Sequence, residues 1–155
     1  MTNKILYSFF VLLLLASCTG GSEAVFMNSI DGKWNKKDTL SYEFSVSDVQ
    51  QPKNIIFVVR NNDEYPYSNL RLIVDFTDLK NKKKQTDTLN YIMAKPNGEW
   101  LGKGFGEAKE IQFQYKLNYQ FVKDGKYSVK IVQAMRNDNL PGIEDFGIKI
   151  ESAKP

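Results

Sequence analysis

Histidine is absent from this sequence of 155 residues, and cysteine occurs only once. Histidine is the usual general base near neutral pH and the commonest metal ligand. Its absence therefore excludes Ser-His-Asp and Cys-His catalysis and zinc sites built on imidazole. Any acid-base chemistry would have to rest on carboxylates. The sequence predicts no metal site and no cofactor.

The single cysteine, Cys18, cannot form a disulfide within the chain, although an exported domain could have used one. It follows an uncharged stretch, residues 5–16, which is preceded by one basic residue, Lys4. A membrane-spanning helix needs about 20 apolar residues, and this run is shorter and ends in small residues. We therefore predict that residues 1–17 are a signal peptide.

The segment Leu15-Ala16-Ser17-Cys18 resembles the lipobox of bacterial lipoproteins, in which the cysteine thiol receives diacylglycerol before cleavage. This resemblance implies that Cys18 is lipidated and anchors the mature chain to a membrane, with residues 18–24 forming the lipidated cysteine and a short tether. No aspartate follows the cysteine, and Glu23 is the only acidic residue nearby. These features favour the cell envelope, at the outer membrane and facing the periplasm.

Removing residues 1–17 leaves 138 residues and takes away one positive charge, which lowers the formal net charge from +3 to +2. Basic and acidic residues are mixed, so no nucleic-acid partner is predicted. The exception is the run of four lysines in residues 80–84. Such a run is most often a solvated turn, and the alternative is a phosphate or headgroup site. The length fits one domain, which we place at residues 25–155.

Alternation of apolar and polar residues dominates the mature chain and predicts strands with one buried face. The alternating segments are 40–46, 70–76, 89–93, 111–121, 127–131 and 146–150. Residues 55–59 are continuously apolar, which indicates a central strand. About seven or eight strands separated by turn signals predict an all-β fold, a single antiparallel β-sandwich of immunoglobulin-like or jelly-roll-like type.

The strongest strand, residues 111–121, is expected to present Leu117 on its apolar face and Lys116 on its polar face. It is separated from the next strand by Asp124-Gly125. An Asp-Gly step favours a tight hairpin turn. We therefore expect these two strands to be paired neighbours.

Two segments could carry binding residues. Residues 60–69 contain Tyr65 and Tyr67 around a proline, and residues 96–106 contain Trp100 and Phe105 among four glycines. Loops on a rigid scaffold commonly carry function, so these four aromatics are the candidate partner-binding residues. The alternative interpretation is structural, with the aromatics packed at one end of the sandwich and the polar side chains satisfying their own backbone.

No catalytic residue is predicted. The carboxylates available for acid-base work are Asp75, Asp78, Asp87, Glu99, Glu107 and Glu110. Their scatter over turns and polar faces is typical of surface charge, and the spacing singles out no pair of the kind that a glycosidase requires.

The motifs taken together resemble the gliding-motility lipoprotein GldH family over essentially the whole chain. They are the lipobox, Trp34 ahead of residues 40–44, and the segments 60–70, 87–89, 98–106 and 133–136. The resemblance implies a non-enzymatic envelope lipoprotein required for gliding motility, with other gliding-motility or secretion proteins of the envelope as partners. The alternative is a glycan-binding sandwich module that stacks sugar rings on the four aromatics.

Overall fold

The computed structural model describes residues 24–104 and 106–154. These residues form ten β-strands and no helix. The first five strands are β1 (Ala24–Ser29), β2 (Lys33–Asn35), β3 (Leu40–Val46), β4 (Lys53–Asn61) and β5 (Asn69–Asp78). The remaining five are β6 (Lys83–Ile92), β7 (Lys109–Tyr119), β8 (Gly125–Gln133), β9 (Asn139–Pro141) and β10 (Ile143–Ser152).

The strands form two antiparallel four-stranded sheets and one two-stranded ribbon. The first sheet has the order β1-β10-β4-β7, the second has the order β3-β8-β5-β6, and β2 pairs with β9. The two large sheets are not closed into a barrel. The predicted all-β sandwich is therefore confirmed, and β1, β2 and β9, which lie outside the predicted segments, raise the number of strands from the predicted seven or eight to ten.

The core lies between the inner faces of the two large sheets. In β3, Tyr42, Phe44 and Val46 are buried while the residues between them are exposed, as the alternation predicts. The Tyr42 hydroxyl donates a 2.7 Å hydrogen bond to the carbonyl of Phe146 in the opposite sheet. β4 is paired on both edges and carries Ile55, Phe57 and Val59 fully buried, so the continuous apolar run is a central strand.

The expected hairpin between β7 and β8 is wrong. β7 lies at the edge of the first sheet beside β4, whereas β8 lies in the second sheet between β3 and β5. Residues 120–124 cross from one sheet to the other, and Phe121 is buried within this crossing. Because Phe121 is buried, the connecting segment passes from the first sheet to the second. Gly125 therefore begins β8 opposite Val46 and does not close a tight turn.

The expected faces of Lys116 and Leu117 are also wrong. Ile55 pairs with Lys116 but Ile56 pairs with Gln114, so Tyr115 is an extra residue in a β-bulge. Beyond the bulge the side chains change faces. Leu117 is 47% exposed, and the Lys116 ammonium lies inside the sandwich, 4.7 to 5.2 Å from three aromatic ring centres.

No helix within residues 24–104 and 106–154 is long and apolar enough to cross a membrane. The predicted signal peptide and Cys18 lie outside the residues that the structure describes.

Candidate functional site

Both candidate segments lie at the same end of the sandwich. Residues 61–69 connect β4 of the first sheet to β5 of the second, and residues 93–108 connect β6 of the second sheet back to β7 of the first. Tyr65 and Trp100, one from each segment, have ring centres 6.2 Å apart. The Trp100 indole N–H also donates a 3.2 Å hydrogen bond to the Asp63 carboxylate. We call this end, formed by residues 61–69, 93–104, 106–108 and 134–145, the loop end.

Tyr65 is the packed centre of the loop end. It is 2% exposed, and its hydroxyl donates a 2.7 Å hydrogen bond to the carbonyl of Asn69. Burial, together with the neighbouring Tyr67, raises the pKa of its phenol. The Tyr67 ring stands at 77° to it, half-buried, and the Tyr67 hydroxyl donates 2.8 Å to the Asn137 side chain. Tyr65 is therefore a buried side chain on which the loops pack, whereas Tyr67 is partly exposed at the surface.

Trp100 sits at the base of a short hairpin. Trp100 forms an isolated antiparallel bridge with Ala94, and the Leu101 N–H donates 2.9 Å to the Met93 carbonyl. The turn contains Pro96-Asn97-Gly98, and an ion pair of 2.9 Å joins Lys95 and Glu99 across it. Trp100 is half-buried, with its ring inclined by 52° to that of Tyr65. Phe105, the fourth candidate, lies outside the described residues.

A cleft of about 650 Å³ opens beside these loops. Its walls are Arg60, Asn62, Lys103, Gly104, Glu107, Ala108, Glu110, Glu144 and Asp145. Arg60 is held between two of the acids, since its Nε lies 2.9 Å from Glu110 and its Nη1 lies 3.7 Å from Asp145. The Asn62 side-chain amide donates a hydrogen bond to the Glu144 carboxylate. The cleft is therefore a polar surface whose charges are partly paired.

Sequence reasoning did not find this cleft. Glu144 and Asp145 belong to the start of β10, more than 80 residues from Arg60 in the chain. They meet because β10 pairs with β4, with Asp145 opposite Arg60, and β4 pairs with β7, with Glu110 opposite Arg60. Only the strand order brings these charges together, and no local motif signals it.

Four of the candidate carboxylates are held as ordinary ionised surface groups. Hydrogen bonds from Thr86, Asn81 and Lys95 lower the pKa of Asp75, Asp78 and Glu99 respectively. At Asp87, burial raises the pKa but is outweighed by hydrogen bonds led by that from Tyr115, so the net shift is downward. A glycosidase general acid requires a raised pKa, which is the opposite direction.

Glu107 and Glu110 are the two candidate acids that line the cleft. The Glu110 carboxylate accepts a hydrogen bond from the Arg60 guanidinium. Over the described part of the chain, no group of three or more His, Cys, Asp or Glu side chains could hold a metal ion. The arrangement is chemically suited to holding a polar partner surface.

Comparison with known proteins identifies the family. The model of the GldH lipoprotein family matches residues 26–150. The gliding motility lipoprotein GldH homolog of Christiangramia forsetii is 39% identical over 151 residues, which covers 93% of this chain and 92% of that protein. The gliding motility lipoprotein GldH of Flavobacterium johnsoniae is 35% identical over 146 residues, with 90% of each chain covered.

Solved structures are similar only at a distance. A family GH115 4-O-methyl-α-glucuronidase gives a TM-score of 0.42 at 11% identity, with 88% of this chain and 18% of that chain covered. A family 35 carbohydrate binding module from Clostridium thermocellum gives 0.35 at 10% identity, with 81% and 97% covered. Scores this low carry no argument about function, whereas the family match extends over most of the sequence. The chain belongs to the GldH lipoprotein family.

Proposed function

We propose that this chain is a motility-associated envelope lipoprotein that acts without catalysis, as an accessory or assembly component of the gliding and adhesin-secretion machinery. It binds a protein partner through the loop end. The names of the relatives, gliding motility lipoproteins, support the association with motility. The proposed anchor is lipid on Cys18, after removal of residues 1–17, with residues 25–155 as the domain in the periplasm at the outer membrane.

The observation that carries the proposal is the convergence of two long connections at one end of a rigid sandwich. Tyr65 and Trp100 fasten residues 61–69 to residues 93–108. Around this fixed centre, Pro66, Leu101, Lys103 and Glu107 are exposed. A firmly packed base with exposed apolar and charged side chains above it suits a protein interface, in which a small apolar centre is bordered by polar groups.

The ring geometry favours a protein partner over a glycan. Sugar stacking requires exposed aromatic rings that share a plane, whereas Tyr65 is buried and its neighbours are inclined by 77° and 52°. No flat row of rings is therefore formed by Tyr65, Tyr67 and Trp100. We accordingly propose an interface and not a sugar platform.

Photocrosslinking tests this proposal, with Leu101 and Leu117 as a matched pair. Both are leucines of similar exposure, 40% and 47%, but Leu101 belongs to the loop end and Leu117 to the far half of β7. A photoreactive phenylalanine analogue at position 101 should capture an envelope protein of the motility or secretion machinery in living cells. The same analogue at position 117 should capture none.

A second arm uses function as the readout. Leu101→Asp should abolish the crosslink and colony spreading while the protein remains folded and abundant, because an aspartate at an apolar interface centre is desolvated without a partner. Cells that produce Leu117→Asp should form colonies that spread normally. Equal capture from both positions, or normal spreading of Leu101→Asp, would show that the loop end is not the binding surface.

A further inference from the structure

Two neighbouring loops at the end opposite the loop end are strongly basic. Residues 78–84 connect β5 to β6, and residues 121–126 lead into β8. They lie side by side, because the Leu79 N–H donates 3.0 Å to the Lys126 carbonyl and Asp78 pairs with Tyr127. Together they contain six lysines and two aspartates, a net charge of +4. We call these two loops the basic end.

The basic end also carries apolar side chains at its tip. Val122 is 86% exposed, the most exposed of the large hydrophobic residues in the described chain, and Leu79 is 36% exposed. Lys80 and Lys123 adjoin them in sequence and are exposed. A cavity of about 310 Å³ lined by Phe76, Tyr119, Phe121 and Tyr127 opens beside Val122. An apolar tip ringed by lysines is the pattern of a surface that binds an anionic bilayer.

The charge of the opposite end has the other sign. Residues 61–69 contain Asp63 and Glu64 and no basic residue, a net charge of −2. Residues 134–145 contain one arginine and three acids, again −2. The remaining loop-end segment, residues 93–108, contains two lysines and two glutamates and is neutral. The molecule therefore has a charge asymmetry along the strands, with a net charge of +4 at the basic end and −4 over the segments of the loop end. A negatively charged surface would orient it.

The mature chain enters the sandwich at the basic end. Ala24, the first described residue, pairs with Ile150, and Ile150 pairs with Ile55 near the start of β4. The neighbouring Lys53 pairs with Tyr119. The Tyr119 ring lies 5.5 Å from Phe76 and 4.9 Å from Phe121, which places this end of the first sheet against the basic loops of the second.

Chain length limits how far the anchor can be from this end. Cys18 precedes Ala24 by six residues, which span about 20 Å at most. Asn61, at the loop end, lies about 20 Å from Ala24, because Ala24 is level with Ile55 and Asn61 is six residues farther along β4. Lipid on Cys18 therefore favours the basic end near the bilayer, since only a fully extended tether lying along the strands would reach the loop end.

We infer that the basic end docks on a lipid surface with anionic headgroups, with Val122 entering the interface and the lysines of residues 80–84 and 123–126 contacting the headgroups. This inference rests on the proposed lipidation of Cys18. Docking holds the long axis of the sandwich perpendicular to the membrane surface. The loop end then points away from the bilayer, where a partner can reach it.

A fluorescent label at position 122 tests the docking in the full lipidated protein. With Cys18 acylated, Val122→Cys supplies the single free thiol for an environment-sensitive dye. The protein is reconstituted on vesicles of phosphatidylcholine with or without phosphatidylglycerol, and flotation is measured first. On the anionic vesicles, quenchers attached to the lipid should quench the label at position 122 about fivefold more than a label at Asn97→Cys, in the exposed hairpin turn of the loop end.

Charge variants provide the second measurement. Lys80→Gln, Lys82→Gln and Lys123→Gln together should reduce the quenching at position 122 to the level seen on neutral vesicles. Lys33→Gln, Lys37→Gln and Lys103→Gln remove the same charge from exposed positions at the other end and should leave the quenching unchanged. Added salt should weaken the docking, because exposed charges are screened beyond about 8 Å at physiological ionic strength.

The outcomes separate the two proposals. If the protein floats with the vesicles but the label at position 122 is quenched no more than the label at position 97, the docking is overturned. The proposed lipid anchor is then unaffected. Failure of the unsubstituted protein to float overturns the anchor and the docking together. Equal effects of the two triple variants would also overturn the docking, since they would show that net charge alone is responsible.

Discussion

The hydroxyl of Tyr115 donates a 2.7 Å hydrogen bond to the Asp87 carboxylate across the gap between the two sheets. Tyr115 belongs to β7 and Asp87 to β6, and these strands are the edges of their sheets on the same side of the sandwich. The Lys116 ammonium lies 3.6 Å from the same carboxylate. The β-bulge that turns Lys116 inward beside Tyr115 thus supplies a polar clasp where no backbone pairing joins the sheets.

Removing this clasp should destabilise the domain in a pH-dependent way. Tyr115→Phe should lower the free energy of unfolding by about 1 kcal/mol at neutral pH, the usual value for one hydrogen bond to a partly exposed charged group. The folded pKa of Asp87 lies below its ordinary value, so this contribution is present above about pH 4 and is lost as the pH falls through the folded pKa. Urea unfolding at several pH values measures the difference.

Tyr119→Phe is the matched control for that experiment. The Tyr119 hydroxyl makes no hydrogen bond within the described part of the chain, so its removal should cost much less at every pH. The role of Asp87 would be contradicted if Tyr115→Phe lowered the free energy of unfolding by the same amount at pH 3 and pH 7.

Gly142 and Gly98 should respond differently to the same substitution. Both have positive φ, 79° and 86°, which costs an alanine about 1 kcal/mol in either place. At Gly142 the added Cβ would also lie 2.2 Å from the backbone nitrogen of Tyr65, whereas no atom lies within 4 Å of it at Gly98. Gly142→Ala should therefore cost about 3 kcal/mol or more and disturb the loop end, because a backbone clash adds to the strain.

Gly98→Ala is the built-in control, and chemical denaturation of both variants provides the comparison. Near-equal losses of stability would mean that the close approach of Gly142 to Tyr65 is not a structural constraint.

Alkaline pH should unfold the protein before its buried tyrosines ionise. Burial raises the pKa of Tyr42, Tyr65 and Tyr115, and that of Tyr91 to about 12. A raised folded pKa stabilises the fold below the ordinary value of about 10, and this stability is lost as the pH rises from there toward the folded pKa. Phenolate absorbance should therefore increase steeply together with loss of the β-sheet circular dichroism.

The urea-unfolded protein serves as the reference, since its tyrosines should titrate near pH 10 without cooperativity. Gradual ionisation of all tyrosines near pH 10 in the protein that keeps its circular dichroism would be incompatible with the packed phenols.

If Cys18 carries the proposed lipid, Cys18→Ala should abolish the incorporation of labelled fatty acid and release the protein from the membrane fraction, because the acyl chains would provide the stable attachment. Ser22→Ala changes a residue of the same tether and should retain both properties. Mass spectrometry of the mature N-terminus measures the modification directly. An acylated protein that carries alanine at position 18 would disprove the assignment of the lipid to this cysteine.

Local sequence predicted the fold class because alternation is a local property. Whether Tyr42, Phe44 and Val46 face one side depends only on the two-residue period of a strand, and a sandwich is how such strands bury one face each. The shorter strands β2 and β9 were not predicted, since three residues carry too little alternation to be recognised. The sequence likewise indicated Tyr65, Tyr67 and Trp100 as candidate partner-binding residues. Residue type alone does not show how deeply each side chain is buried.

Tertiary structure decided the pairing of the strands and everything that depends on it. The Asp124-Gly125 step favours a hairpin locally, but burial of Phe121 between the sheets sends β8 to the second sheet. Lys116 faces the core only because β4 and β7 pair with a bulge. The sequence by itself determined the fold class and seven of the ten strands, because alternation and apolar runs are local properties. The meeting of Arg60 with Glu110 and Asp145, and the separation of the loop end from the basic end, arise from contacts between residues distant in the chain, which local periodicity does not encode.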